Sequence, residues 1–232
     1  MRRRRCIPGI ETDVVLRSPL DSLWDVADRA RAKPRLAPKD ISFVRDVAPE
    51  QFDAFPKLKL PPTVRHPAGF ASSLQRLGWS FDFNDLLDQP LLMRDHLGGY
   101  REQMQAVRAD DVIGQGALLW KMIYSVVRIF QQANTEWFVL KHEDFSLDPV
   151  NKYRDLYSKL SLEFTKRVEK EILDSSSSEN PSESPLKDTY SVKLDSAANV
   201  KNWKKRLDAE TIQRIRDITG ETADFYYPSE NW

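Results

Sequence analysis

Four consecutive apolar residues, Trp137-Phe138-Val139-Leu140, constrain this chain's fold more than any other stretch. A short aromatic and β-branched run without polar alternation suits a strand covered on both faces, as in a parallel sheet. It lies between two helical patterns. Before it, Val112 to Phe130 carries a broad apolar stripe through Ile113, Ala117, Trp120, Tyr124, Val127 and Ile129. After it, Pro149 to Leu160 is helical, with Pro149 near the first turn, where its missing N–H is harmless. Helix, buried strand, helix with short connections predicts an α/β domain, its parallel sheet flanked by helices.

The rest of the chain divides around that centre. Val14 and Val15 suit a short strand over 13–16. Leu20, Leu23, Trp24 and Ala27 mark a helix over 21–32. Pro34, Pro38, Pro49, Pro56, Pro61 and Pro62 then recur too often for long regular elements, so residues 33–63 read as irregular. Residues 1–60 are therefore set apart from a domain over 61–232. Within that domain, Ala68 to Leu77 reads as a short helix and Leu86 to Leu97 as a second, broken near Pro90. The serine-rich, polar stretch 174–187 reads as a mobile loop. Asp208 caps a last helix that runs through Thr219 and stops at Gly220.

Composition excludes several function classes. Lys+Arg and Asp+Glu both number 35, a zero formal charge that argues against a dedicated nucleic-acid binder. The lone cysteine, Cys6, forms no internal disulfide and offers no metal spacing, which fits a reducing, cytoplasmic setting. No apolar segment reads as approaching the ~18 residues of a membrane span. Arg2 to Arg5 read as a solvated tail, because Pro8, Gly9, Glu11 and Asp13 interrupt any signal-like apolar run. No metal, membrane or nucleic acid is expected.

Three segments carry chemistry. In Val64-Arg65-His66-Pro67-Ala68-Gly69-Phe70-Ala71-Ser72-Ser73-Leu74, a guanidinium after a strand and a hydroxyl on the following helix could meet at one phosphate. That helix start adds free N–H groups and a positive dipole end. An arginine on a surface turn beside small packed residues fits the same spacing. In Leu140-Lys141-His142-Glu143-Asp144, a strand delivers polar residues to the carboxyl edge of the sheet. There His142 could meet a base and Glu143 could anchor backbone, while Asp144 reads as a cap. The third segment runs from Lys193 through Asn199 to Trp203 and Arg206, a cationic and amide-rich stretch suited to closing over a phosphate. Taken alone, Trp203 is equally a core residue and its lysines a solvated face.

The order of these segments resembles the PAPS-dependent sulfotransferase family over about 64–232. The carriers are Arg-x-Pro with a serine two helical turns on, then strand-His-Glu-Asp followed by Asp148-Pro149, then Asn202-Trp203-Lys204-Lys205-Arg206-Leu207. The run Arg65-His66-Pro67-Ala68-Gly69-Phe70-Ala71-Ser72-Ser73-Leu74-Gln75-Arg76-Leu77-Gly78-Trp79 is similar to bacterial members. The resemblance implies a P-loop-like α/β scaffold. It also implies transfer of a sulfuryl group from 3′-phosphoadenosine 5′-phosphosulfate (PAPS) to a hydroxyl of a small molecule, glycan or peptide. It assigns the 3′-phosphate to Arg65 and Ser73, the adenine to His142, and the closing loop to the stretch from Lys193 to Trp203.

Two departures from the family follow. Its Gly-, Ser- and Thr-rich donor loop has no counterpart, since Ser18-Pro19-Leu20-Asp21-Ser22 lacks glycine and places Asp21 against a phosphate. The stretch before residue 60 is thus expected to be incomplete, divergent or foreign to the fold. A general base is the second gap, and His66 is its best histidine candidate, ahead of His96. A PAPS- or PAP-binding remnant without turnover is the alternative expectation.

Overall fold

The computed structural model describes residues 61–133, 137–185 and 193–232. The expected strand at 13–16, helix at 21–32 and Ser18–Ser22 turn lie outside the described residues. Those described are mostly helical around a small parallel sheet. Strand β1 (Thr63–Val64) pairs with β2 (Leu140–Lys141), with Thr63 opposite Leu140 and Val64 opposite Lys141. Proline at 62 does not prevent the pairing, because its carbonyl still accepts from Leu140 N at 2.8 Å. The expected strand at 137–140 is thus parallel as read, but only its last residue and Lys141 form the ladder, and both are half-buried. This sheet is compatible with an α/β class and is much smaller than expected.

Helix α1 (Pro67–Leu77) follows β1 at once, with Pro67 opening its first turn. Short helices α2 (Asn84–Leu87), α3 (Pro90–Leu92) and α4 (Arg101–Ala106) come next, with π and 3₁₀ turns over Met93–Leu97 and Gly98–Tyr100. Pro90 breaks this region as its sequence indicates. Helix α5 (Val112–Ala133) is the longest and packs against α1. Beyond β2 lie α6 (His142–Leu147), α7 (Pro149–Lys159), α8 (Lys166–Ser176), α9 (Ser196–Val200), α10 (Asn202–Arg206) and α11 (Ala209–Tyr226). Helix α11 packs against both the core helix α5 and α1.

Two apolar clusters result. Ala68, Ala71, Ile113, Ala117, Trp203, Leu207 and Ile215 join α1, α5, α10 and α11. Phe83, Leu86, Met93, Leu97 and Met104 pack on Leu118 and Met122 of α5. Small residues set the α1–α5 spacing: a Cβ on Gly116 would lie 3.2 Å from the Ala71 backbone.

Three expectations change. Helix α5 is long and apolar enough, by length and composition, to cross a membrane, with a mean hydropathy of 1.2 over its most apolar window. Half of that window is buried within the protein, where its stripe forms the centre of both clusters. The last helix does not stop at Gly220. It kinks there, at φ 48°, and resumes because Ala223 and Tyr226 re-enter the core. The polar stretch expected as a loop begins inside α8, where the Ser175 and Ser176 hydroxyls donate back to Ile172 O at 3.1 and 2.7 Å. Its next residues are tied down, with Asp195 N donating to Pro181 O at 2.9 Å. Residues 186–187 lie outside the described residues.

Candidate functional site

The β1–β2 register brings two of the expected residues to one edge. Val64 is opposite Lys141, so the next residues, Arg65 and His142, emerge side by side at the carboxyl ends of paired strands. Helix α5 fixes this edge from below. Trp120 Nε1 donates to Arg65 O at 2.8 Å, and Tyr124 Oη donates to Thr63 O at 2.7 Å. Trp120 is fully buried, so its one polar atom is spent on holding the arginine's backbone. From α6, Glu143 Oε1 accepts from His66 N at 2.8 Å and its Oε2 accepts from Tyr227 Oη at 2.7 Å. The backbone-anchoring role read for Glu143 is the one it performs, whereas Asp144 is exposed in the first turn of α6.

Arg65 and Ser73 converge on Gly69. Arg65 Nε lies 3.3 Å from where a Gly69 Cβ would stand, and Ser73 Oγ donates to Gly69 O at 2.9 Å. The Trp203 ring also passes 3.5 Å from that Cβ position. A side chain at 69 would therefore displace the guanidinium or the indole. The closing segment reaches the arginine through Asn199, whose Oδ1 accepts from Arg65 Nη2 at a long 3.4 Å. Lys193, by contrast, is exposed.

Charge makes Arg65 distinctive. Arg76, Arg206 and Arg214 each have a carboxylate partner, and among the described residues Arg65 has none within ion-pair distance. Burial pulls the Arg65 pKa down, against the raising effect of Glu143, and the nearby Arg206 charge lowers it further. Burial, followed by the same Arg65 charge, pushes His142 down to about 3.

His66 is placed differently from an exposed base. It is 3% exposed, stacked on Trp203 at 4.6 Å and 8° and flanked edge-on by Tyr227 and Trp232. Its Nδ1 accepts from Ala68 N at 3.3 Å, capping α1. A neutral ring that accepts at Nδ1 carries its proton on Nε2, which is buried without a partner among the described residues. Burial, then Lys204 and Arg65, lowers its pKa to about 3. His66 is neutral at pH 7 and presents a donor rather than a lone pair. That tautomer suits a cap and an aromatic packing residue, not a general base.

A cleft of about 460 Å³ lies away from these residues, lined by Gln103, Arg108, Asp111, Lys121 and Arg214 among others. It includes neither Arg65 nor Ser73. Among the described residues no cluster of His, Cys, Asp and Glu could hold a metal ion.

Sequence reasoning missed Trp120, Tyr124, Gly69 and Tyr227. A signal existed for the first two, since a tryptophan and a tyrosine one turn apart on a buried stripe need partners for their polar tips.

Compared with family models, with characterised proteins and with solved structures, the chain matches none. No family is shown. The resemblance to sulfotransferases rests on the motif residues alone.

Proposed function

We propose that the region from β1 to α11 binds an adenine nucleotide bearing a 3′-phosphate, PAPS or its product PAP, in a sulfotransferase-type α/β scaffold. The observation that carries this reading is Arg65, a largely enclosed guanidinium with no carboxylate within ion-pair distance among the described residues, which lies against Gly69, the residue whose carbonyl accepts from Ser73, near the start of α1. A buried cation without a counter-ion is costly unless something else supplies the negative charge. A phosphate at the helix start would receive the guanidinium, the Ser73 hydroxyl after it leaves Gly69 O, and the dipole end of α1. Asn199 and Trp203 would close over it, and His142 lies beside Arg65 where an adenine would follow. PAPS, when bound, supplies a sulfuryl group that passes to an acceptor hydroxyl of a small molecule, glycan or peptide.

One observation favours binding without turnover. Among the candidates of this edge, His66 is enclosed and holds its proton on Nε2, so it gives the acceptor hydroxyl no base. Transfer of labelled sulfate from PAPS across a panel of hydroxyl compounds separates the two readings, and turnover would exclude the non-catalytic one.

Thermal unfolding with PAP and with 5′-AMP tests the shared claim. At a hundredfold excess over its dissociation constant PAP raises Tm on the order of 5 °C, and 5′-AMP, lacking the 3′-phosphate, leaves it nearly unchanged. Equal shifts, or none with millimolar PAP, would defeat the assignment.

A further inference from the structure

Further along α1 lies a second group of cations, and it already holds an anion. Glu183 Oε1 accepts from Arg206 Nε at 3.2 Å and Nη2 at 2.6 Å, while its Oε2 is 3.0 Å from Arg76 Nε. Arg206 Nη1 donates to Ser72 Oγ at 3.1 Å, and Ser72 is 1% exposed. Two guanidiniums thus hold one carboxylate, one of them fixed by a buried hydroxyl, with the planar, two-pronged geometry that equally suits a phosphate or sulfate oxygen pair. The carboxylate arrives on an irregular segment rather than on a helix or strand. That segment is strapped down next to it. Asn199 and Asn202 both donate to Ser182 O, at 2.8 and 3.0 Å, and Arg76 Nη2 donates to Ser184 O.

Burial pushes the Glu183 carboxyl up, and the Arg206 hydrogen bond with the Arg206, Arg76 and Lys205 charges brings it net below its usual value. Asn199 also reaches Arg65, so the strap and the enclosed guanidinium share a residue. Nothing in the core needs this carboxylate: all three side chains are 22–34% exposed and none belongs to either apolar cluster.

We infer that Arg76 and Arg206, the latter positioned by Ser72, form a binding site for a phosphate- or sulfate-type oxyanion, and that Glu183 fills it as an internal stand-in which the ligand must displace. An incoming oxyanion takes over the two guanidiniums, and the freed carboxylate swings to solvent with its strap.

Calorimetric titration of inorganic phosphate into the full chain tests this, with ionic strength held constant by chloride. The Glu183→Gln variant binds phosphate at least tenfold more tightly than wild type, and adding Arg206→Gln removes that gain. Equal phosphate affinity in wild type and Glu183→Gln overturns the inference, as does a gain that survives loss of Arg206. Wild-type protein gives a check free of any folding defect. Saturating phosphate speeds amide exchange at Glu183 and Ser184, and unchanged or slower exchange contradicts displacement. A PAP arm identifies the source of the oxyanion. PAP that competes with inorganic phosphate in Glu183→Gln makes it a nucleotide phosphate, and PAP that binds without competing leaves it a separate anion. Phosphate binding as described with no PAP binding at all defeats the nucleotide reading alone.

Discussion

Arg65 and Arg214 are both cations on the helices and turns around α5, and they sit in opposite circumstances. Arg214 faces Asp111 with two guanidinium nitrogens, and Gly114 N completes the same carboxylate at 2.9 Å. The Asp111 hydrogen bond raises its pKa, and half of its side chain is in water. Arg65 has its backbone clamped by Trp120, its side chain laid along Gly69, and burial lowering its pKa against the smaller effect of Glu143, with no carboxylate within ion-pair distance among the described residues. A satisfied, wet ion pair is an ordinary surface feature worth little. A half-buried cation held in place without an ion-pair partner is costlier to keep than a wet one. On the proposed reading, the difference separates a structural arginine from a binding one.

The comparison can be broken at several places. The largest effect belongs to the clamp under Arg65. Trp120→Ala removes a fully buried indole and its bond to Arg65 O, and urea unfolding should show a loss of about 3–5 kcal/mol. A loss below about 1 kcal/mol would mean that α5 does not fix this edge.

Acid comes next. His66 and His142 titrate at about 3 when folded, against ~6.5 in the unfolded chain. Between those values the unfolded chain binds the extra protons, so stability is lost as pH falls from about 6.5 towards 3. Each histidine steepens the dependence by up to about 1.4 kcal/mol per pH unit, the half-buried His142 less than His66. His66→Gln should flatten the slope measured between pH 4 and 6, and an unchanged slope would contradict the enclosed, neutral ring.

Gly69→Ala sharpens the comparison more gently. Its Cβ meets Arg65 Nε at 3.3 Å, so the guanidinium must shift, and PAP affinity should fall on the order of tenfold. Stability should change by less than about 1 kcal/mol, because alanine favours the helix. The smallest effect is at the paired arginine: Arg214→Ala should cost about 0.2–1 kcal/mol and leave PAP binding untouched.

The sequence discloses this architecture unevenly. Helices α1, α5 and α7 were readable because each carries an apolar stripe or a proline start over three or more turns. Helices α6, α9 and α10 span six residues or fewer, too short for a period to register. The parallel pairing was foreseeable from Val139 and Leu140, while its brevity was not, since strand ends depend on partners distant in sequence. At the site, spacing places Arg65 and Ser73 together, and each touches Gly69, the one at its Cα side and the other at its carbonyl. Glu183 was invisible: it falls in a serine-rich stretch whose composition reads as a loop, and its partners Arg76 and Arg206 lie far away along the chain. His66 was chosen for its chemistry, and stacking against Trp203 and capping of α1 decide its surroundings instead.

The most direct measurement pairs two readouts on one variant, Arg65→Met, which keeps the apolar stem and removes the charge. Without ligand it should be as stable as wild type or more so, since an unanswered buried cation is gone. Its affinity for PAP, by calorimetry, should fall tenfold or more, because a hydrogen bond to a charged group contributes about 1.5–3 kcal/mol. A variant that unfolds more readily yet binds PAP as wild type does would show Arg65 to be a structural residue and the anion site to lie elsewhere.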